Sequence, residues 1–281
     1  MTRPIKAILF FSSCTITTIV AVSLLFIILS AILTRAMPAI SLEFLVAESK
    51  DFGQDGGIFY QIIGTIMLIV GAGILSLPVA LGTAIYQTEY INSSFQRTAS
   101  VLIYALNGVP TILFGLFGYK FFGILLKMGV SWLTGSFILA IMILPTLVVS
   151  IKEAIESIPV KYREAGLALG FTTWRLIKTV LIPQSFFGIV TGLLLGLARA
   201  TGETAAIMFT ATAFSGITMP NSFLEPVTTL QTHIFVLAQE AVNPQARTNA
   251  WGAALVLVVL VFLMSLGSML VRRRLTLEAE R

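Results

Sequence analysis

Six stretches of the chain stay apolar for about 20 residues or more, the length that an α-helix needs to cross ~30 Å of membrane hydrocarbon. Backbone amides and carbonyls find no water there, so each must pair within its own helix. The sequence therefore predicts an all-α, polytopic membrane protein built as a bundle of six transmembrane helices. The predicted spans are residues 7–33, 61–86, 99–119, 131–151, 185–211 and 250–271.

Composition argues against several other classes of protein. Charged residues make up 11% of the 281 residues, against about 25% in an average soluble domain. The single cysteine, Cys14, cannot build a disulfide framework or a thiolate cluster, and the single histidine, His233, cannot hold a metal alone. We expect Cys14 to be a packing residue and His233 to be a polar loop residue. The net charge of +5 is expected from basic residues that flank membrane spans, so nucleic acid is not an expected partner.

Lysine and arginine residues are distributed unevenly between the two sides of the predicted bundle. Twelve lie on the side that carries both termini and five on the other side, with Arg199 inside the membrane. Because basic residues concentrate on the cytoplasmic side, both termini are predicted to be cytoplasmic. The chain divides into an N-terminal helix with an outer loop (1–60), a transmembrane core (61–271) and a basic tail (272–281). We expect membrane lipid to surround much of its surface.

The predicted cytoplasmic connection between the fourth and fifth spans, residues 152–184, is far longer than the usual ~2–8 residues between bundle helices. Ser157 and Pro159 are typical of a helix start, and Gly170 is typical of a helix end. Thr172 or Thr173 can cap a following helix. The segment therefore predicts two short helices joined by a glycine turn.

This connection resembles the cytoplasmic signature of permease subunits of ATP-binding-cassette importers, which is E-A-A, three residues, G, nine residues and I-x-L-P. The residues at the matching positions are Glu164, Ala165, Gly166, Gly170, Val180, Ile182 and Pro183. Three of them depart from the pattern, with Gly for Ala, Val for Ile and Ile for Leu, and all three exchanges are small or apolar. The resemblance implies the MetI-like type I importer fold. It also implies that the first short helix is a coupling helix seated in a groove of an ATPase subunit.

Two further points concern the same connection. Its basic residues would also suit an amphipathic helix on anionic lipid, which is the alternative to ATPase coupling. The chain contains no Gly-Lys dipeptide, so the phosphate-binding loop G-x-x-x-x-G-K-[ST] is absent. We therefore expect no enzymatic activity and no cofactor on this chain, with ATP and Mg held by a separate ATPase.

Arg199 and Glu203 lie in the stretch "LGLARATGETAAIMFTATAF" (195–214), inside an apolar run that begins ten residues earlier. If the fifth span is one helix, Arg199 lies near the bilayer centre, where an arginine costs about 2.5–3.5 kcal/mol or more. Glu203 would lie one turn away and could partly neutralise it. Both would share a face with small and polar residues, namely Gly188, Gly192, Gly196, Ala206 and Thr210. This face predicts either a tight helix interface locked by an ion pair or the wall of an anion pathway.

The stretch "ARATGETAAIMFTA" and the last span, "AWGAALVLVVLVFLMSLGSMLVRRR", resemble the PstA family of phosphate-importer permeases. The resemblance implies that Arg199 and Glu203 belong to a phosphate pathway across the bacterial cytoplasmic (inner) membrane. Thr210, on the same predicted face, is predicted to line this pathway. It also implies a PstC-like partner permease, a PstB-like ATPase dimer and a PstS-like periplasmic binding protein. Alternatives are a permease for phosphonate, molybdate or sulfate, the PstC-like role in the same complex, a secondary transporter, or a membrane-embedded enzyme. The 152–184 connection argues against the last two, since neither needs it.

Overall fold

The computed structural model describes residues 2–53, 55–91, 93–212, 219–240 and 243–279. Within these ranges the chain is helical apart from short connections and one two-stranded hairpin, β1 (Ser49–Lys50) and β2 (Asp55–Gly56). The helices are α1 (Thr2–Ala36), α2 (Leu42–Val46), α3 (Phe59–Glu89), α4 (Ser93–Asn107), α5 (Thr111–Gly118), α6 (Trp132–Glu156), α7 (Val160–Ala168), α8 (Thr173–Leu176), α9 (Ile182–Thr201), α10 (Ala205–Met208), α11 (Leu230–Glu240) and α12 (Pro244–Ala279). Two π-helical turns, Tyr119–Leu125 and Ile177–Leu181, extend α5 and join α8 to α9.

The described residues contain five helices that are long and apolar enough to cross a membrane, and a bent pair makes a sixth. The all-α bundle predicted from the sequence is therefore confirmed, with one of its spans broken. The broken span consists of α4 and α5, which meet at an angle of 94°. Pro110 lies in the break and is the residue just before α5. Its ring carries no amide hydrogen and disfavours helical geometry at the preceding residue, which explains why the helix stops there.

The fifth span differs from its predicted bounds, 185–211. Helical structure starts earlier, at Thr173, and continues to Thr201, where Gly202 follows as the C-terminal cap. The apolar residues beyond Gly202 form the short helix α10 and a turn instead. Ala206, Ile207 and Ala211 are fully buried there, and Gly115 of α5 packs directly on the backbone of Ala206. These residues are apolar because protein buries them, which explains why hydropathy extended the predicted span too far.

The centre of the bundle is formed by α3, α6 and α9, whose buried aliphatic residues make the main core. Glycines of α9 allow the close approach to α6. A Cβ atom on Gly188 would lie 2.4 Å from the Cβ of Ala154, and one on Gly192 would lie 2.7 Å from that of Ser150. The glycine face predicted for the fifth span is thus a tight helix interface over these turns.

The peripheral helix α1 packs against α12 and leaves its apolar window entirely unburied within this chain. Cys14 lies on this helix and is exposed. The predicted basic tail (272–281) continues α12, but its side chains and residues 280–281 lie outside the described part of the chain.

His233 was expected in a polar loop, and this expectation is wrong. The residue lies in α11, and its Nε2 atom is buried without a hydrogen-bond partner in the described structure. The ring contacts Gly53 between the two strands of the hairpin, where φ is +91° and a Cβ atom would lie 2.5 Å from the imidazole Cε1. A glycine is therefore required on both grounds.

Candidate substrate and coupling sites

Arg199 occupies the last turn of α9 and is exposed at the surface of this chain. Its Nη1 donates to the Asn107 side-chain oxygen at 3.0 Å and to the Thr146 hydroxyl at 3.0 Å. Among the described residues, the bonds made by this guanidinium use Nη1 alone. The remaining N–H groups of its planar array are available to another acceptor.

The three residues of this cluster lie at irregular points of three helices. Asn107 is the last residue of α4, directly before the break in the third span. Thr146 follows Pro145 inside α6, and Arg199 lies two residues before the end of α9. Discontinuous helices are common where membrane transporters bind substrate, because their free backbone groups and polar ends can line a cavity. The Arg199–Asn107–Thr146 cluster is therefore the candidate substrate site.

The predicted pairing of Arg199 with Glu203 is not formed. The ion pairs between described residues do not include it, because α9 ends at Thr201 and one-turn helical geometry is lost before Glu203. The half-buried Glu203 instead accepts a hydrogen bond from the Ala206 amide at 3.2 Å. Its carboxylate therefore stabilises the start of α10, because a negative charge is favourable near the N-terminus of a helix.

Thr210 takes no part in the arginine cluster in this conformation. Its side chain is fully buried, and its hydroxyl donates to the Ala206 carbonyl at 2.9 Å. Its own carbonyl accepts from the Ser131 amide at 3.0 Å, which joins this turn to the start of α6. Its role in a substrate pathway stays a prediction.

Sequence reasoning missed Asn107 and Thr146. A signal for Asn107 was present, since a polar side chain directly precedes the helix-breaking Gly108-Val109-Pro110 sequence inside an apolar span. Thr146 follows a proline but is otherwise an ordinary span residue. No sequence pattern predicts that it would face Arg199.

The cytoplasmic connection forms the two predicted short helices, α7 and α8. Gly170 ends the first with φ of +75°, a left-handed conformation that glycine adopts without strain. Thr172 caps the second helix by accepting from the Arg175 amide at 3.3 Å. Because α6 extends to Glu156 and the next candidate membrane span starts at Thr173, the connection between these spans is much shorter than 152–184.

The residues of the family signature are divided between exposed and packed positions. Glu164 and Ala165 are exposed on α7. Gly166 is buried on its opposite side, where a Cβ atom would lie 2.6 Å from the Leu176 side chain of α8. Pro183 is exposed near the start of α9, directly after the π-helical turn Ile177–Leu181. The signature thus closes α7 onto α8 and leaves one face of α7 free.

The sequence profile of the family described as "Binding-protein-dependent transport system inner membrane component" matches residues 76–277. The chain belongs to this family. The matched range contains the arginine cluster and the cytoplasmic connection, and the predicted resemblance of the chain to importer permeases is confirmed at the level of the family.

Curated relatives of this permease cover most of both chains. A protein of Methanocaldococcus jannaschii named "Probable phosphate transport system permease protein PstA" is 34% identical over 247 residues, which is 86% of this chain and 85% of that protein. One from Bacillus subtilis, "Probable ABC transporter permease protein YqgI", is 31% identical over 255 residues, with 85% of each chain covered. The family assignment therefore applies to the chain as a whole.

Solved structures confirm the MetI-like importer fold. A chain of the bacterial alginate ABC transporter, solved with its substrate-bound periplasmic protein, matches with a TM-score of 0.68 at 14% identity, covering 95% of both chains. A chain of the inward-facing MetNI methionine ABC transporter matches with a TM-score of 0.59 at 17% identity, covering 78% of this permease and 94% of that chain. At these identities the likeness shows the fold alone.

Proposed function

We propose that this permease is the transmembrane subunit of an ATP-driven importer for inorganic phosphate. The observation that carries the proposal is Arg199, a permanent cation that two neutral side chains hold at a point where transmembrane helices break. Relatives named as PstA phosphate-transport permeases support phosphate as the substrate. The chain would lie in the bacterial cytoplasmic membrane with both termini in the cytoplasm.

The geometry of Arg199 suits transient binding of an oxyanion. Asn107 and Thr146 fix the guanidinium through one nitrogen, so a phosphate oxygen pair can meet the remaining planar donors without first displacing these partners. Arg199 is exposed, and water around it in the proposed pathway would keep the interaction weak enough for release, which transport requires. Glu203, half-buried and four residues along the chain, would disfavour a permanently trapped anion by its negative charge.

The other subunits of the importer would be separate chains. A PstC-like permease would complete the pathway, a PstS-like protein would deliver phosphate from outside, and a PstB-like ATPase dimer would bind ATP and Mg. The exposed face of α7, with Glu164 and Ala165, would contact the ATPase. Movement of α7 with the closing dimer would then shift the spans as rigid bodies.

The direct test is uptake of radiolabelled phosphate by the assembled importer in proteoliposomes with Arg199→Gln. We expect uptake to fall at least about tenfold, since the variant lacks charge-assisted bonds worth ~1.4 kcal/mol or more. Assembly and melting temperature should stay near wild type, and Arg247→Gln, at an exposed position, serves as the matched control. Loss of assembly would show instead that Arg199 only locks helices together, and unchanged uptake would remove it from the pathway. Uptake of molybdate, sulfate or phosphonate in place of phosphate would favour those substrates.

A further inference from the structure

The guanidinium of Arg163 connects the short cytoplasmic helix α7 to two transmembrane helices. Its Nη2 donates to the Glu89 carboxylate at 3.3 Å and to the Ile155 carbonyl at 3.1 Å. Its Nη1 donates to the Ile158 carbonyl at 3.0 Å. The side chains of the ion pair are only 21% and 10% exposed, so solvent screens this pair less than a surface salt bridge.

The partners of Arg163 are the cytoplasmic ends of helices that form the core. Glu89 is the last residue of α3, and Ile155 lies in the last turn of α6. Carbonyl groups at a helix C-terminus lack their usual amide partners and carry partial negative charge, so a cation is favoured there. Pro159 follows four residues after Ile155 and supplies no amide hydrogen to its carbonyl. The arginine takes the place of this missing donor, and the Ile158 amide also donates to the same carbonyl at 3.3 Å.

Lys161 and Arg175, two neighbouring cations of the same segment, make local contacts instead. Lys161 lies over the ring of the adjacent Tyr162 at 5.5 Å, and Arg175 lies over that of Phe171 at 4.5 Å. Lys152, near the end of α6, pairs with Glu156 of the same helix at 3.8 Å and also donates to the Ser100 hydroxyl of α4 at 3.3 Å. Arg163 points into the bundle, which distinguishes it from a residue that recruits anionic lipid.

We propose that Arg163 is the positioning residue that transmits movement of α7 to α3 and α6, an inference that rests on the proposed function. The helices α3 and α6 share the most extensive packing of the bundle, so a displacement of α7 held by Arg163 moves them together. The same helix α6 carries Thr146, which bonds Arg199. A continuous set of contacts therefore runs from α7 through Arg163 and α6 to the arginine cluster.

Spatial continuity alone does not prove coupling, so the test measures coupling directly. The assembled importer in proteoliposomes is assayed for phosphate uptake and for ATP hydrolysis in the same sample. For Arg163→Gln we expect the ratio of phosphate imported to ATP hydrolysed to fall at least about fivefold, with hydrolysis continuing. Glu89→Gln keeps an acceptor oxygen but loses the charge, so a smaller fall in the ratio is expected.

The matched control is Arg175→Gln, which removes the same charge from the same segment and should leave the ratio unchanged. Equal effects of the Arg163 and Arg175 variants would indicate a general charge effect at the membrane and overturn the proposal. An unchanged ratio in Arg163→Gln, or loss of assembly with Glu89→Gln as well as with Arg163→Gln, would also overturn it. Failure of the proposed function looks different, because the wild-type importer itself would then show no phosphate uptake driven by ATP.

Discussion

The partners of Arg199 decide what its charge can do. A carboxylate within hydrogen-bond distance would neutralise the guanidinium and occupy its donors, whereas Asn107 and Thr146 supply neutral oxygens. The bonded neighbours therefore leave the positive charge of Arg199 uncompensated. The free-energy penalty of taking this charge out of water falls when an anion from outside lies nearby. A cation in this setting is better suited to a passing oxyanion than a closed ion pair would be.

Glu203 offers a prediction that separates its charge from its hydrogen bond. In Glu203→Gln the side-chain oxygen can still accept from the Ala206 amide, so the melting temperature of the purified importer should stay near wild type. Glu203→Ala removes the acceptor and should cost about 1 kcal/mol, as loss of a helix cap does. Thermal unfolding of both variants checks this. Equal destabilisation by Gln and Ala would show that the charge of Glu203, rather than its bond to α10, stabilises the fold.

Much of the site chemistry at the residue scale could be predicted, but the pairings could not. Arg199 is conspicuous in an apolar stretch. Gly170 and Thr172 are residue types that commonly end and begin helices. The expected Arg199–Glu203 pair depended on helical spacing across Gly202, and the helix ends at Thr201. Residues four apart meet only while the helix continues, whereas Asn107 and Thr146 reach Arg199 from distant parts of the chain.

Among the helices, the interface between α6 and α9 depends on missing side chains. Gly188→Ala would place a methyl group 2.4 Å from the Cβ of Ala154, so the helices must separate or shift. We expect the free energy of unfolding to fall by about 1–3 kcal/mol, the usual cost of overpacking a core. Gly82→Ala in α3 is the matched control, because its added Cβ would meet no heavy atom within 4 Å beyond its chain neighbours and the adjacent backbone of its own helix. Thermal stability of both variants provides the measurement, and equal losses would contradict a packing origin.

Hydropathy predicted the number of spans but not where each is interrupted. An apolar residue shows that something excludes water from it, and both lipid and protein do so. The residues after Gly202 are apolar because α5 and the core bury Ala206 and Ile207, so the sequence pattern extends the span through them. Conversely, the break before Pro110 leaves the composition of the third span unchanged and redirects it by 94°.

At the scale of the whole molecule, the helices divide into a packed centre and a periphery that this chain does not cover. The central helices α3, α6 and α9 carry Arg199 and Thr146 of the arginine cluster and the Glu89 and Ile155 contacts of Arg163. In contrast, α1 buries none of its apolar window against the rest of the chain. The movement proposed to enter at α7 would therefore reach the most extensively packed helices first, which suits transmission through the bundle.

His233 lies outside the membrane spans and should cause most of the pH dependence of the folding stability above about pH 4. Burial lowers the pKa of His233 from 6.5 to about 4, since its Nε2 has no hydrogen-bond partner in the described structure. Between these two values the unfolded chain binds a proton that the folded chain does not. Stability is therefore fully present above about pH 6.5 and is lost as the pH falls toward 4, with a slope approaching about 1.4 kcal/mol per unit.

His233→Phe removes this titration while keeping a ring against Gly53. Melting temperatures of the purified importer at pH 7.5 and pH 5 should differ less for the variant than for the wild type. Contributions of the carboxylates cancel in this comparison, because both proteins contain them. Parallel pH profiles would mean that the imidazole is solvated in the assembled importer, and the contact between α11 and the hairpin would then not exclude water from it.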